Sequence, residues 1–198
     1  MLDKKTYEIM KNKYGMVSSW AIWKMAGSTQ KSNTDSMSWV QDPNLMQLIN
    51  TGFVFVGLNA SSTHGEQDGH FLQPWASFHS GYRYQNDYRL RYALQDTKYW
   101  GSYITDVIKN HPEVDSNKVK KFARENPDDI KTNIHNLEIE LSFLGEKPVL
   151  VAMGGITYDI LSEHLKGKYN IVKIKHYSYR MNKDTYREEV LNILDACS

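Results

Sequence analysis

Four short stretches of the chain are apolar without alternation. Phe53-Val54-Phe55-Val56-Gly57-Leu58, Val149-Leu150-Val151-Ala152-Met153 and Ile171-Val172-Lys173-Ile174 are each too short for a typical helix and rich in β-formers. Tyr103-Ile104-Thr105 with Val107-Ile108 is a weaker fourth. Strands apolar on both faces belong to parallel sheets covered by helices. The segments between them carry helical spacing. Asn126-Pro127-Asp128-Asp129 is a capped helix start, with proline at the first helical position and acids in the first turn. Ile130, Ile134, Leu137, Leu141 and Leu144 then recur every three or four residues until Gly145. Ile156, Ile160, Leu161 and Leu165 line another helix before Gly167, and Asn182 caps a last one carrying Tyr186, Val190, Leu191 and Leu194. A short helix is expected over 6–14 and a polar loop over 27–43. The pattern predicts an α/β protein, a three-layer α/β/α sandwich with a mostly parallel central sheet. Residues 1–50 read as a helical and aromatic segment with a polar loop packed on the core, and 51–198 as the α/β domain.

Composition narrows the class. With 40% hydrophobic and 24% charged residues, collagen-like, disordered and coiled-coil readings drop out. No apolar run approaches the roughly 18 to 20 residues that cross a bilayer, and no signal-type segment follows Met1, so a soluble cytoplasmic protein is expected. The single Cys197 excludes a disulfide framework, an iron–sulfur cluster and a four-thiolate zinc site. Net charge is only +1, but the stretch 164–183 holds Lys166, Lys168, Lys173, Lys175, Arg180 and Lys183 and no acid. A local phosphate contact would draw on such a stretch.

In parallel sheets the ligand crevice lies outside the carboxyl ends of the strands. The first apolar run ends in Gly57-Leu58-Asn59-Ala60-Ser61-Ser62-Thr63-His64-Gly65, dense in amide and hydroxyl groups. Ile171–Ile174 runs into Lys175-His176-Tyr177-Ser178-Tyr179-Arg180, where an imidazole, a hydroxyl and a guanidinium can donate to an anion. Gly154-Gly155 opens a helix and is a weaker phosphate seat, without the spacing of either nucleotide-binding glycine motif. Residues 79–92 interleave aromatics with arginines, which suits base stacking and phosphate contact, although Tyr88 and Tyr92, four apart, are expected to pack on the core. The stretch His64-Gly65-Glu66-Gln67-Asp68-Gly69-His70 matches no zinc or calcium pattern, so no metal is expected. The charged stretch 113–131 reads as a solvated helix face.

Two of these strand ends carry a resemblance. Gly57-Leu58-Asn59-Ala60-Ser61 resembles the first motif of the uracil-DNA glycosylase superfamily, above all its mismatch-specific and single-strand-selective branches, and His176-Tyr177-Ser178-Tyr179-Arg180 resembles the second. The resemblance covers roughly residues 50 to 195 and implies a uracil-DNA glycosylase-like fold. It implies cofactor-free hydrolysis of the N-glycosidic bond of a deaminated or mismatched base, flipped out of DNA, by a monomer. Asn59 would position the attacking water and His176 would donate to the departing base, while Glu66 or Asp68, Asp68 above all, would act on the water. Gly57, Leu58, Phe71, Phe78 and Asp106 would form the base pocket, Tyr82 being a further stacking candidate. Ser61, Lys175, Ser178, Tyr179 and Arg180 would meet DNA, with Ser178 and neighbouring amides on a phosphate and Tyr179 or Arg180 in the gap left by the flipped nucleotide.

The chain also departs from the family pattern. Ala60, Tyr177 and Tyr179 stand where the family has prolines, which predicts looser loops. Thr105-Asp106 stands where the family reads uracil with an asparagine. An ionised carboxylate cannot donate to a carbonyl, which brings a base with an exocyclic amine into view. The alternative is a catalytically altered module of the same fold that binds nucleic acid or a nucleotide without hydrolysis, or an enzyme on free nucleosides or nucleotides.

Overall fold

Asp3 opens the first helix. Its carboxylate accepts from Thr6 N at 2.9 Å and from Thr6 Oγ1 at 2.7 Å, satisfying a donor that a helix start leaves orphaned. This helix, α1, spans Lys4–Tyr14. The computed structural model describes residues 2–24, 34–60, 73–80 and 86–197. Within them α1 is followed by β1 (Ser19–Trp20), a 3-10 turn (Ser38–Gln41), α2 (Leu45–Leu48), β2 (Asn50–Asn59), α3 (Asp87–Leu94) and β3 (Ser102–Ile108). Then come α4 (Ser116–Glu125), α5 (Pro127–Ser142), β4 (Val149–Met153), α6 (Gly155–Leu165), β5 (Ile171–Ile174) and α7 (Lys183–Asp195).

The four apolar runs are four neighbouring parallel strands. The sheet order is β1-β3-β2-β4-β5, with β3, β2, β4 and β5 parallel and β1 antiparallel at the edge. The protein is therefore α/β with a mostly parallel mixed sheet. Val54, Val56 and Tyr103 face one apolar layer, which takes in Ile134 and Leu137 of α5 and Leu161 of α6. Phe55, Ile104, Val151 and Ile174 face the other, with Leu90 and Leu94 of α3 and Tyr186 and Val190 of α7. From β2 the chain passes to β3 on one side and later to β4 on the other. The order reverses beside β2, and a ligand crevice is expected at such a point, outside the carboxyl ends of the strands.

Residues before β2 do more than the polar pattern predicted. Trp39, on the 3-10 turn, is buried inside the stretch read as a loop. Trp20 is fully enclosed between Tyr103, at 4.8 Å between ring centroids, and Trp75, at 5.9 Å. The short β1 escapes sequence analysis because two residues carry no period.

One buried charge joins these parts. Glu140 on α5 is 1% exposed. Its Oε1 accepts from Ser18 Oγ, Tyr103 OH and Thr105 Oγ1, each at 2.8 Å, and its Oε2 pairs with Lys109 Nζ at 2.9 Å. Lys109 Nζ also donates to the Asp106 carbonyl at 2.6 Å. A carboxylate taken out of water is tolerated only when saturated in this way. Glu140→Ala removes the shared acceptor of three hydroxyls and the counter-charge of Lys109, and is expected to lower unfolding free energy by about 3 kcal/mol in urea titration. A variant matching wild type would show that the network contributes nothing to stability.

Candidate functional site at the strand carboxyl ends

Gly57 and Asp106 are direct register partners on β2 and β3. A Cβ at Gly57 would run into Asp106 Oδ1, so only glycine leaves the carboxyl its place. The same Cβ would lie 3.6 Å from Phe78 Cε1, which brings the Phe78 ring beside this pair. Phe78 sits at φ +65°, a backbone region costly for an aromatic residue, and its carbonyl accepts from Trp23 Nε1 at 3.3 Å. Strained conformations persist where surrounding structure over-determines them, and they cluster at functional sites.

Strand alternation separates Thr105 from Asp106. Thr105 turns to Glu140 on one face, and Asp106 turns to Gly57 and Phe78 on the other. Asp106 is 6% exposed, and burial pushes its carboxyl up to about 7, with the Lys109 charge pulling it down and Glu140 adding to the rise. Instead of a simple ionised acceptor, Asp106 is a group that changes charge around pH 7.

A second buried carboxyl stands nearby. Asp87, the first residue of α3, is also pushed up to about 7 by burial, moderated by Ser80 N donating at 2.7 Å and by the Tyr177 hydroxyl. Tyr177 is held well above the usual phenol range, by burial first and then by Asp87 and Asp106. The phenol thus bonds Asp87 and also lies within the field of Asp106. Sequence reasoning missed Asp87 because an acid opening a helix reads as dipole stabilisation, and Tyr177 because it was weighed only as a missing proline.

His176 follows β5. Its Nδ1 accepts from Ser178 N at 3.2 Å, which leaves the ring proton on Nε2. The residue is half-buried, yet enclosure of the ring lowers the imidazole to about 4, so it is neutral at pH 7. The His176 carbonyl accepts from Tyr179 N at 2.8 Å, closing a turn. The Ser178 and Tyr179 amides are therefore spent inside the turn, while Ser178 itself is exposed. Tyr179 is 56% exposed, and Arg180 is exposed.

Asn59 ends β2. Its Nδ2 donates to the carbonyls of Ala60, His111 and Glu113 at 3.2, 3.1 and 2.8 Å. The amide clamps the chain after β3, so residues 111–113 do more than solvate a helix face. Asn59 Oδ1 makes no hydrogen bond among the described residues. Leu58, next to it, is half-buried.

The basic stretch is less free than its sequence suggests. Lys175 Nζ pairs with Glu189 at 2.8 Å, and Lys168 Nζ with Glu138 at 2.9 Å. Acids absent from 164–183 arrive from α5 and α7. The expectation for Tyr88 and Tyr92 is corrected as well. Leu90, Ala93 and Leu94 are the buried side of α3, and Tyr92 is half-buried, donating to Asp184 Oδ1 at 2.7 Å beneath Lys183. Ser61, Glu66, Asp68, Phe71 and Tyr82 lie outside the described residues, as does the stretch 64–70.

The chain matches no family model and no curated protein. No helix among the described residues is long and apolar enough to cross a membrane.

The two raised carboxyls set a pH dependence of stability. Folded pKa values near 7, against 3.8 for the free group, mean that the unfolded chain releases these protons first. Their contribution to stability is fully present below about pH 4 and is lost as pH rises through about 7. His176, lowered from 6.5 to about 4, acts in the opposite sense, adding stability as pH rises between those values. Above pH 6.5 only the carboxyl slope remains among these three groups. Urea midpoints are expected to fall from pH 6.5 to pH 8 in wild type and to flatten in Asp87→Asn/Asp106→Asn. An unchanged slope in the double variant would assign the titration elsewhere.

Proposed function

We propose that this chain is a monofunctional DNA N-glycosylase of the uracil-DNA glycosylase type, which hydrolyses the bond between deoxyribose and a flipped, deaminated or mismatched base without a cofactor. The observation that carries this reading is the convergence of Asp106, the side-chain-free Gly57 and the Phe78 ring at the carboxyl end of β3 and β2. A neutral carboxyl presents one O–H donor and one carbonyl acceptor, the pair an amide side chain would offer to a uracil-type edge. Phe78 supplies an aromatic edge beside that group. His176, neutral with its proton on Nε2, suits donation to a base oxygen that gains negative charge as the bond breaks. Asn59 offers Oδ1 to a water, positioning it without strong basicity, so departure of the base leads and water follows. Exposed Tyr179 and Arg180 suit contact with DNA beside the flipped nucleotide.

A second reading draws on Asn59 itself. With its amide nitrogen spent on three carbonyls, the residue serves the loop as much as a water, which favours a module that binds a nucleotide or DNA end without hydrolysis.

The test is a cleavage assay on oligonucleotides carrying uracil, hypoxanthine, xanthine or mismatched thymine. Abasic product is expected, with His176→Ala reducing the rate about 10²- to 10³-fold. Asn59→Ala is expected to lower it as well. Excision of uracil should decline as pH rises through about 7, where the Asp106 proton is lost, and Asp106→Asn should remove that decline. A rate that instead rises with pH would indicate that the ionised form reads an exocyclic amine. Absence of product on every substrate, with salt-sensitive DNA binding retained, would establish the binding module.

A further inference from the structure

Beside His176 the molecule holds a cavity of about 440 Å³ between the first turn of α6, the end of β5 and α7. That volume lies within the range of small-molecule sites. Its floor is apolar, formed by Ile174, Val190, Ile193 and the buried Tyr186. The rim is different in kind. Lys173 stands over the Tyr158 ring at 5.2 Å, and Lys175 stands 5.3 Å from the ring of Tyr179, the aromatic side chain left 56% exposed. Among the described residues Glu189 is the one acid in the lining, and Lys175 already compensates it at 2.8 Å.

The glycines shape the entrance. Gly154 N is spent on the Ile174 carbonyl at 2.9 Å, which fixes the end of β4 against β5. A Cβ built at Gly155 meets nothing within 4 Å, so the space before the α6 amides is open. An apolar floor, an exposed aromatic edge and a cationic rim beside a helix start complement a flat ring that carries an anionic group.

We infer that this cavity binds a nucleoside monophosphate unit, its base on the apolar floor against Tyr179 and its phosphate between Lys173, Lys175 and the first turn of α6. The site takes a ligand different in placement from the base held at Asp106, and its occupancy does not depend on whether the chain hydrolyses glycosidic bonds. His176 lines the cavity, so a bound unit adjoins the imidazole.

The test is a titration of the full chain with deoxyadenosine monophosphate, deoxyadenosine and inorganic phosphate, followed on the amide resonances of Gly154, Gly155 and Tyr179. The monophosphate should shift all three saturably and bind at least about tenfold more tightly than either fragment. Gly155→Leu should weaken binding, because Gly155 lines the cavity and a Cβ there meets nothing within 4 Å, so the added bulk narrows the site without straining the fold. Tyr179→Ala, at an exposed position, should weaken binding several-fold. A short single-stranded oligonucleotide that displaces the monophosphate would identify the unit as part of a strand, and failure to displace it would identify a free nucleotide. Equal binding of phosphate alone or of the neutral nucleoside would overturn the inference. So would titration that leaves these resonances unmoved, or that is indifferent to Gly155→Leu.

Discussion

The carboxylate of Glu140 is a charge that the fold has taken wholly out of water, and much of the molecule is arranged to make that tolerable. Three hydroxyls from Ser18, Tyr103 and Thr105 converge on one oxygen, and Lys109 meets the other. Each comes from a different part of the chain or a different position on β3. The set therefore joins the N-terminal segment, the sheet and α5 in one geometry. Isolated, such a charge would cost several kcal/mol, so the partners act together or the carboxylate cannot stay. Lys109 extends the network to the Asp106 carbonyl, which links a structural charge on one face of the sheet to the candidate site on the other.

That link rests on the pleat of β3. Thr105 and Asp106 are adjacent, and a strand sends adjacent side chains to opposite faces. A slip of one residue would send the carboxyl toward Glu140 and the hydroxyl into the crevice. Three hydrogen bonds on the Glu140 side make this slip costly, and the Gly57–Asp106 approach makes it costly again from the other side. The candidate site thus inherits its register from a network on the opposite face of the sheet.

The strands were legible in sequence because burial on both faces removes alternation, leaving runs such as Val149–Met153, which is β4 residue for residue. Helix ends were legible where a cap is local: Asn182 does accept from Asp184 N, at 2.7 Å, at the start of α7. The site was legible only in part. His176, Asn59 and Asp106 could be found from their place at strand ends. Asp87 and Glu140 could not, because a charged residue on a helix reads as solvated until the tertiary structure buries it. Lys175 and Lys168 erred the same way, since the acids that neutralise them lie 14 and 30 residues away along the chain. Charge pattern along the sequence says little about charge in space.

Tyr177 brings these points together. A tyrosine in place of proline removes the covalent restriction of φ, and a looser turn was the natural expectation. The turn is instead tied by other means. Ser178 N donates to His176 Nδ1, Tyr179 N donates to the His176 carbonyl, and the Tyr177 ring is buried with its hydroxyl on Asp87. The carbonyl of Tyr179 accepts from Arg89 at 2.6 Å, a second tie to α3. Proline would restrict the unfolded chain as well as the folded one, whereas these bonds exist only once α3 has docked. The imidazole is therefore oriented by tertiary packing, and its tautomer depends on a turn that the Asp87–Tyr177 contact helps to hold. A carboxyl raised to about 7 by burial beside a phenol, and a histidine kept neutral by its enclosure, place hydrogen-bond donors at the strand ends with little net charge there. On the proposed reading, such a surface suits a polar, uncharged edge better than an anion, and the cations Lys173 and Arg180 stand exposed.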